Sequence, residues 1–125
     1  MTMPAHAMPE AEQKKVVASV IAAEASGEGE TGLFAVACTI KNRCIKYHKT
    51  PYQIVTAKSQ FSGYTAKNRL KRYAEVKEKA DFLAENILYL TDITGSALYF
   101  KTKKEKLKPW HKVLTVKIGN HLFYK

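Results

Sequence analysis

The chain has 125 residues, 46% apolar and 26% charged, with no low-complexity stretch or internal repeat. That is the make-up of one ordinary globular domain, and it excludes a repeat array and, since no apolar run nears about 20 residues, a membrane-spanning helix. Twenty-one Lys+Arg against eleven Asp+Glu leave a net charge of +10, so a polyanion is the expected partner: nucleic acid, an anionic membrane or a bacterial cell wall, because long-range attraction reads charge rather than chemical identity.

In chain order, "MTMPAHAMPEAEQKK" lacks the basic-then-apolar order of a secretory signal. Synthesis in the cytoplasm without a signal peptide is therefore expected, with residues 1–9 as a flexible extension of a single domain. From Glu10, the residues Val16, Val17, Val20 and Ile21 recur at helical spacing and form one core-facing stripe. Gly27 and Gly29 are expected to end this helix through the left-handed cap conformation. A second helix is expected after Thr31, with Phe34, Ala37, Cys38 and Ile40 inside. Cys38 and Cys44 stand about 9 Å apart along it, too far to bridge, so free thiols are expected. Cys44 and His48 lack further ligands at matching spacing, so no zinc or other metal is expected.

Thr50 as cap and Pro51 at the first position start a third helix. After the loop "AKSQFSGYTAK", the residues Leu70, Tyr73, Val76, Ala80, Leu83, Ile87 and Leu90 advance by three or four and predict one long helix. "TDITGSA" breaks that period. "ALYF", "VLTVKI" and "HLFYK" then read as three short strands, the last two joined at Gly119–Asn120 as a hairpin. About four helices followed by a small three-stranded antiparallel sheet make an α+β domain. The dense basic run "KTKKEKLKPWHK", residues 101–112, is either a polyanion contact or a hydrated loop.

One residue breaks the apolar logic. Glu24 lies four residues after Val20 and three after Ile21, so a carboxylate is carried on the buried side of the first helix. Burial and the negative end of the helix dipole both favour its protonated form, the state of a general acid near neutral pH. A structural ion pair with Arg43 or a lysine accounts for the same pattern, and the two readings stand level. Glu28 and Glu30 follow glycines in a turn. Glu28 is read as an orienting or loop-closing residue in preference to a second catalytic carboxylate.

"AEASGEGETGLFAVACTIKNR" resembles the signature of the SleB-type cell wall hydrolases, known from spore-cortex-lytic enzymes and phage lysins. "PYQIVTAKSQFSGY", "TGSALYF" and "WHKVLTVKIGNHLFYK" resemble further motifs of that family in the same order. The likeness spans about residues 16–125. Ser26 and Ser96 depart from it, and residues 65–79 are unusually basic. It implies a compact, lysozyme-like domain without metal or organic cofactor that cuts peptidoglycan glycan strands, generally by lytic transglycosylation, with Glu24 as the catalytic acid. Within its motifs, Gln60 and Ser62 are expected to hydrogen-bond sugar groups beside Tyr64. Phe61 is expected to plug the core. Tyr99 is expected to face the cleft and Phe100 the opposite side. Trp110 either stacks on a pyranose or anchors its loop. His121 either orients Glu24 or substrate, or closes the hairpin, and Tyr124 either packs or touches sugar.

The expected partner is thus peptidoglycan, with phage virion or lysis partners in a phage setting, and without stable membrane insertion. Three alternatives are muramidase hydrolysis of the same bond, an amidase cutting the stem peptide, and a basic nucleic-acid-binding or virion protein. No nucleic-acid motif or groove-reading helix is visible, so nucleic acid is not the expected partner.

Overall fold

The computed structural model describes residues 8–125. Most of the expected N-terminal extension therefore lies outside the described residues. Met8 packs against the core. The Pro9 carbonyl accepts hydrogen bonds from the Glu12 and Gln13 amides at 3.0 and 3.1 Å, opening helix α1 (Glu10–Ala25).

The expected α+β order is present, with helices first and a small sheet last. Helix α1 is the axis of the helical part, and all five later α-helices pack against it. Its second half is covered on every side: each residue from Val17 to Ala22 is buried, not only those of one stripe. Small Ala18, Ser19 and Ala22 let neighbouring helices approach closely where bulkier residues would hold them off.

The end of α1 differs from expectation. Gly27 is not left-handed, and Ser26–Glu28 continue as a 3₁₀ turn whose first amide bonds back to the Ala22 carbonyl. Only Gly29, at φ +76°, turns the chain. Helix α2 (Gly29–Tyr47) consequently starts before Thr31, with Glu28 at its N-cap position. Leu33, Val36, Ala37, Cys38, Ile40 and Cys44 form its buried face, while Phe34 packs at the rim. Both cysteines are free and buried, and burial pushes the Cys44 thiol up to about 11. Helix α3 (Pro51–Thr56) starts as expected, with a reciprocal capping box between Thr50 and Gln53. A one-turn helix α4 (Ser62–Thr65) follows in the loop.

The long helix expected from Leu70 to Leu90 is broken. Helix α5 (Arg69–Glu75) stops at Val76, whose φ of −132° is not helical, and α6 (Lys77–Glu85) restarts beyond it. The Tyr73 hydroxyl donates to Asp81 at 2.5 Å across the break, and each segment packs separately on α1. Asn86 ends α6, and Ile87–Tyr89 form a 3₁₀ turn. A three-or-four spacing persists through such a bend, so the periodicity does not reveal it. Leu70, counted in the apolar stripe, is 67% exposed.

Strands β1 (Tyr99–Thr102), β2 (Leu114–Ile118) and β3 (His121–Tyr124) form an antiparallel sheet in the order β1-β3-β2. The hairpin turns at Gly119, at φ +59°. Phe123 buries against Ala35 of α2 and Ala97, and Phe100 joins this cluster to the helical core. Among the described residues no helix is long and apolar enough to cross a membrane.

The loop into β1 is folded around Asp92. Its carboxylate accepts the amides of Thr94 and Ser96 at 2.9 and 2.7 Å, and the Asn42 side chain donates to the Ala97 carbonyl at 2.9 Å. Ser96 sits at φ +66°, a left-handed conformation in which its Cβ is strained. Replacing Ser96 by Gly keeps the amide bond to Asp92 and removes that strain. It is expected to raise stability by about 1 kcal/mol, roughly 3 °C in Tm, measured by thermal denaturation.

Candidate active site

Glu24 occupies the last turn of α1, half-buried, at the base of a cleft of about 370 Å³ between the helices and the sheet. Its Oε1 accepts the Gly63 amide at 2.9 Å and the Ser62 hydroxyl at 3.5 Å. Gly63 is needed for that approach: a Cβ there would lie 3.0 Å from the Ala23 Cβ and 3.1 Å from Glu24 Cγ and Oε1. Burial holds the Glu24 carboxyl above its ordinary pKa against the opposing Gly63 and Ser62 bonds, and the negative charge of Glu105 adds to the rise.

Among the described residues Glu24 makes no ion pair. Arg43 is committed elsewhere: its guanidinium donates to Gln60 Oε1 and lies 5.0 and 5.3 Å from the ring centres of Phe61 and Tyr99. The geometry thus shows an uncompensated half-buried carboxyl in place of the Arg43 pair.

The cleft gathers Glu24, Gln60, Ser62, Tyr99 and Trp110 from the residues singled out in the sequence. Gln60 is held by Arg43, and the Tyr99 hydroxyl lies 3.2 Å from that of Tyr47. Trp110 is 49% exposed on the opposite wall, edge-on to His111. Phe61 is buried in the core and also reaches the cleft. Phe100 departs from simple strand alternation, since it lines the cleft beside Tyr99 while its ring packs on Phe61 and Phe123.

Four expected site residues lie outside the cleft lining. Tyr64 packs at the core's edge, beneath the Arg69 guanidinium. Tyr124 is buried and stacks behind cleft-lining His111, ring centres 4.8 Å apart. His121 is buried behind Phe100, 5.2 Å between ring centres, and supports the wall instead of facing Glu24. Glu28 Oε1 accepts the Asn120 amide at 2.6 Å, tying the turn after α1 to the hairpin. His121 Nδ1 stands 3.7 Å from the same oxygen. Burial lowers the His121 pKa against the pull of Glu28. Glu30 pairs with Lys79 on the surface.

The sequence reading missed much of the β1–β2 loop. Glu105, Lys106, Lys108 and His111 all line the cleft. Glu105 Oε1 accepts the Thr102 amide at 3.1 Å, and buried Lys101 donates to the carbonyls of Thr102 and Glu105 at 3.2 and 3.0 Å. His111 Nδ1 accepts the Lys108 amide at 2.9 Å, which leaves the neutral ring's proton on Nε2. The only sequence signal for these residues was the density of lysines around Trp110. Among the described residues no group of three His, Cys, Asp or Glu side chains could hold a metal ion.

Because the folded chain binds the Glu24 proton more tightly than the unfolded chain, this group stabilises the fold below about pH 4 and loses that contribution as pH rises through its raised pKa. Glu24→Gln keeps an oxygen for the Gly63 amide and removes the buried charge. Its Tm is expected to exceed that of the parent at pH 8 and to match it near pH 4, measured by calorimetry.

The sequence pattern of the family described as Cell Wall Hydrolase matches residues 27–124. That stretch is shorter than the likeness read from the sequence, and Glu24 lies just ahead of it. The catalytic domain of the germination-specific lytic transglycosylase SleB from Bacillus anthracis is similar in structure, with a TM-score of 0.73 and 25% identity over 98% of this chain and 100% of that one. The catalytic domain of the Bacillus cereus SleB protein superposes with a TM-score of 0.72 at 21% identity, covering 95% and 94% of the two chains, and supports the fold. No curated protein matches the chain.

Proposed function

The chain belongs to the cell wall hydrolase family, and from that premise we propose that it degrades peptidoglycan by lytic transglycosylation at the bond between N-acetylmuramic acid and N-acetylglucosamine. The observation that carries this reading is Glu24: a carboxyl whose pKa burial raises, lining a polar cleft, with no cation paired to it among the described residues. The B. anthracis domain of similar fold is itself a lytic transglycosylase.

Glu24 would donate its proton to the glycosidic oxygen as the bond to muramyl C1 breaks. The carboxylate so formed would take the proton of the muramyl C6 hydroxyl as that oxygen closes onto C1, giving a 1,6-anhydromuramyl end and restoring the acid. One carboxylate serves both steps. The Gly63 amide and Ser62 hydroxyl bond to the anion once it forms, which eases the first transfer. Gln60, Tyr99 and Trp110 offer amide, hydroxyl and ring surface to the sugars on either side.

A retaining muramidase would instead need a second carboxylate about 5–5.5 Å from the first. Glu28 is held by the Asn120 amide outside the cleft lining, and Glu105 is the only other acid on the cleft wall among the described residues. We place the activity in a phage lysin; the net charge of +10 suits a domain that must reach an anionic envelope.

Glu24→Gln is expected to reduce the clearing of purified cell walls about a thousandfold while circular dichroism and wall binding are kept. Mass analysis of wild-type products is expected to show anhydromuramyl ends; reducing muramic acid ends would identify hydrolysis instead. Since the Glu105 charge helps Glu24 keep its proton, Glu105→Gln is expected to move the alkaline limb of the kcat/KM profile to lower pH. An unmoved limb would remove Glu105 from the tuning of the acid.

A further inference from the structure

We infer that Lys106 and Lys108 form an anion subsite on the cleft wall that takes a carboxylate carried by the muramyl side chain. This assignment rests on the glycan-cutting reading above and adds the substrate feature that the cleft selects.

Both lysines line the same cleft as Gln60 and Ser62. Neither has an acidic partner among the described residues, where the lysine ion pairs are those of Lys14, Lys77 and Lys79. The neighbouring acid, Glu105, directs Oε1 to the Thr102 amide. Arg43, the third cation of the cleft, is spent on Gln60 and two aromatic rings. The cleft lining thus sets three cationic side chains, Arg43, Lys106 and Lys108, against two acids, Glu24 and Glu105.

That excess sits on a fixed support. Lys101, buried beneath the loop, pins the carbonyls of Thr102 and Glu105. The Lys108 amide is pinned to His111, whose ring stacks on buried Tyr124. The backbone from which the two side chains project is thereby held at the mouth of the cleft, with Trp110 between Lys108 and His111 to cover a sugar face. Hydroxyls and acetamido groups need no cation. The carboxylates of a peptidoglycan strand are on the muramyl lactyl substituent, bare or as part of the stem peptide attached to it. A cleft built for uncharged sugars alone gains nothing from two unpaired ammonium groups, whereas one that reads the lactyl side gains both orientation along the strand and attraction.

The test uses soluble glycan strands in three forms: with stem peptides, stripped to the bare lactyl carboxylate by an amidase, and with every carboxylate capped as the methylamide. The wild type is expected to cut peptide-bearing strands about fivefold faster in kcat/KM than capped strands, a modest factor because the ammonium groups are exposed. The double substitution Lys106→Gln, Lys108→Gln is expected to abolish that preference while cutting capped strands at the wild-type rate. Lys71→Gln with Lys117→Gln, which removes the same charge from outside the cleft lining, is expected to keep it. Stripped strands identify the source of the anion: the lactyl carboxyl of a peptide-bearing strand is an uncharged amide, so a stripped-strand rate equal to that of capped strands assigns the stem-peptide carboxylates alone, and a rate equal to that of peptide-bearing strands assigns the bare lactyl carboxylate as an equivalent ligand. Equal wild-type rates on peptide-bearing and capped strands, or a preference surviving in the Lys106, Lys108 variant, would overturn the subsite. Failure of the wild type to release sugar fragments from any strand would instead overturn the glycan-cutting reading on which it rests.

Discussion

The hydrogen bond from the Gly63 amide to Glu24 is the contact on which the site depends. It joins the last turn of α1 to the one-turn helix α4 beside the cleft. A Cβ on residue 63 would crowd Ala23 and Glu24 at 3.0 and 3.1 Å, so the bond is made most easily where residue 63 is glycine. The bond also sets the acid's electrostatics. It favours the carboxylate and burial favours the acid, and burial wins. A carboxyl with no donor at all would be costly to ionise at any step; one paired to Arg43 would have surrendered its proton before substrate arrived.

The rest of the fold supports that arrangement. Alanines and a serine on α1 let helices close around it on all sides, which fixes the position of its end. Glu28 then fastens the α1–α2 turn to the hairpin through the Asn120 amide, across 92 positions of chain. His121 and Tyr124, buried behind Phe100 and His111, brace the opposite wall from beneath. Residues one layer back from the cleft therefore act on it through position. The three acids of "EASGEGE" have separate duties: Glu24 faces the cleft, Glu28 clamps the turn, and Glu30 pairs with Lys79 at the surface.

Local chemistry was legible in the sequence wherever one short-range rule dominated. Thr50 and Pro51 announce α3 because capping is decided within four residues. Gly119–Asn120 announce the hairpin for a similar reason. Glu24 stood out because a carboxylate on an apolar stripe has few explanations. What escaped was set by distant parts of the chain. The bend at Val76 follows from how two segments pack on α1, and the spacing of apolar residues runs through it unchanged. The partner of Glu28 and the cleft-facing side of Phe100 depend on where the sheet docks. The lysine-rich loop was visible as charge, but its place opposite Glu24 required the turn pinned by Lys101.

At the centre of this account is a Glu24 carboxyl that burial makes harder to ionise than an ordinary glutamate. The most direct measurement is the titration of its side-chain carboxyl by carbon-13 NMR in the free protein, assigned against Glu24→Gln. The account predicts a midpoint above the ordinary glutamate value of about 4.3. A midpoint at or below that value would contradict it, because burial would then not favour the acid form over the bonds from Gly63 and Ser62.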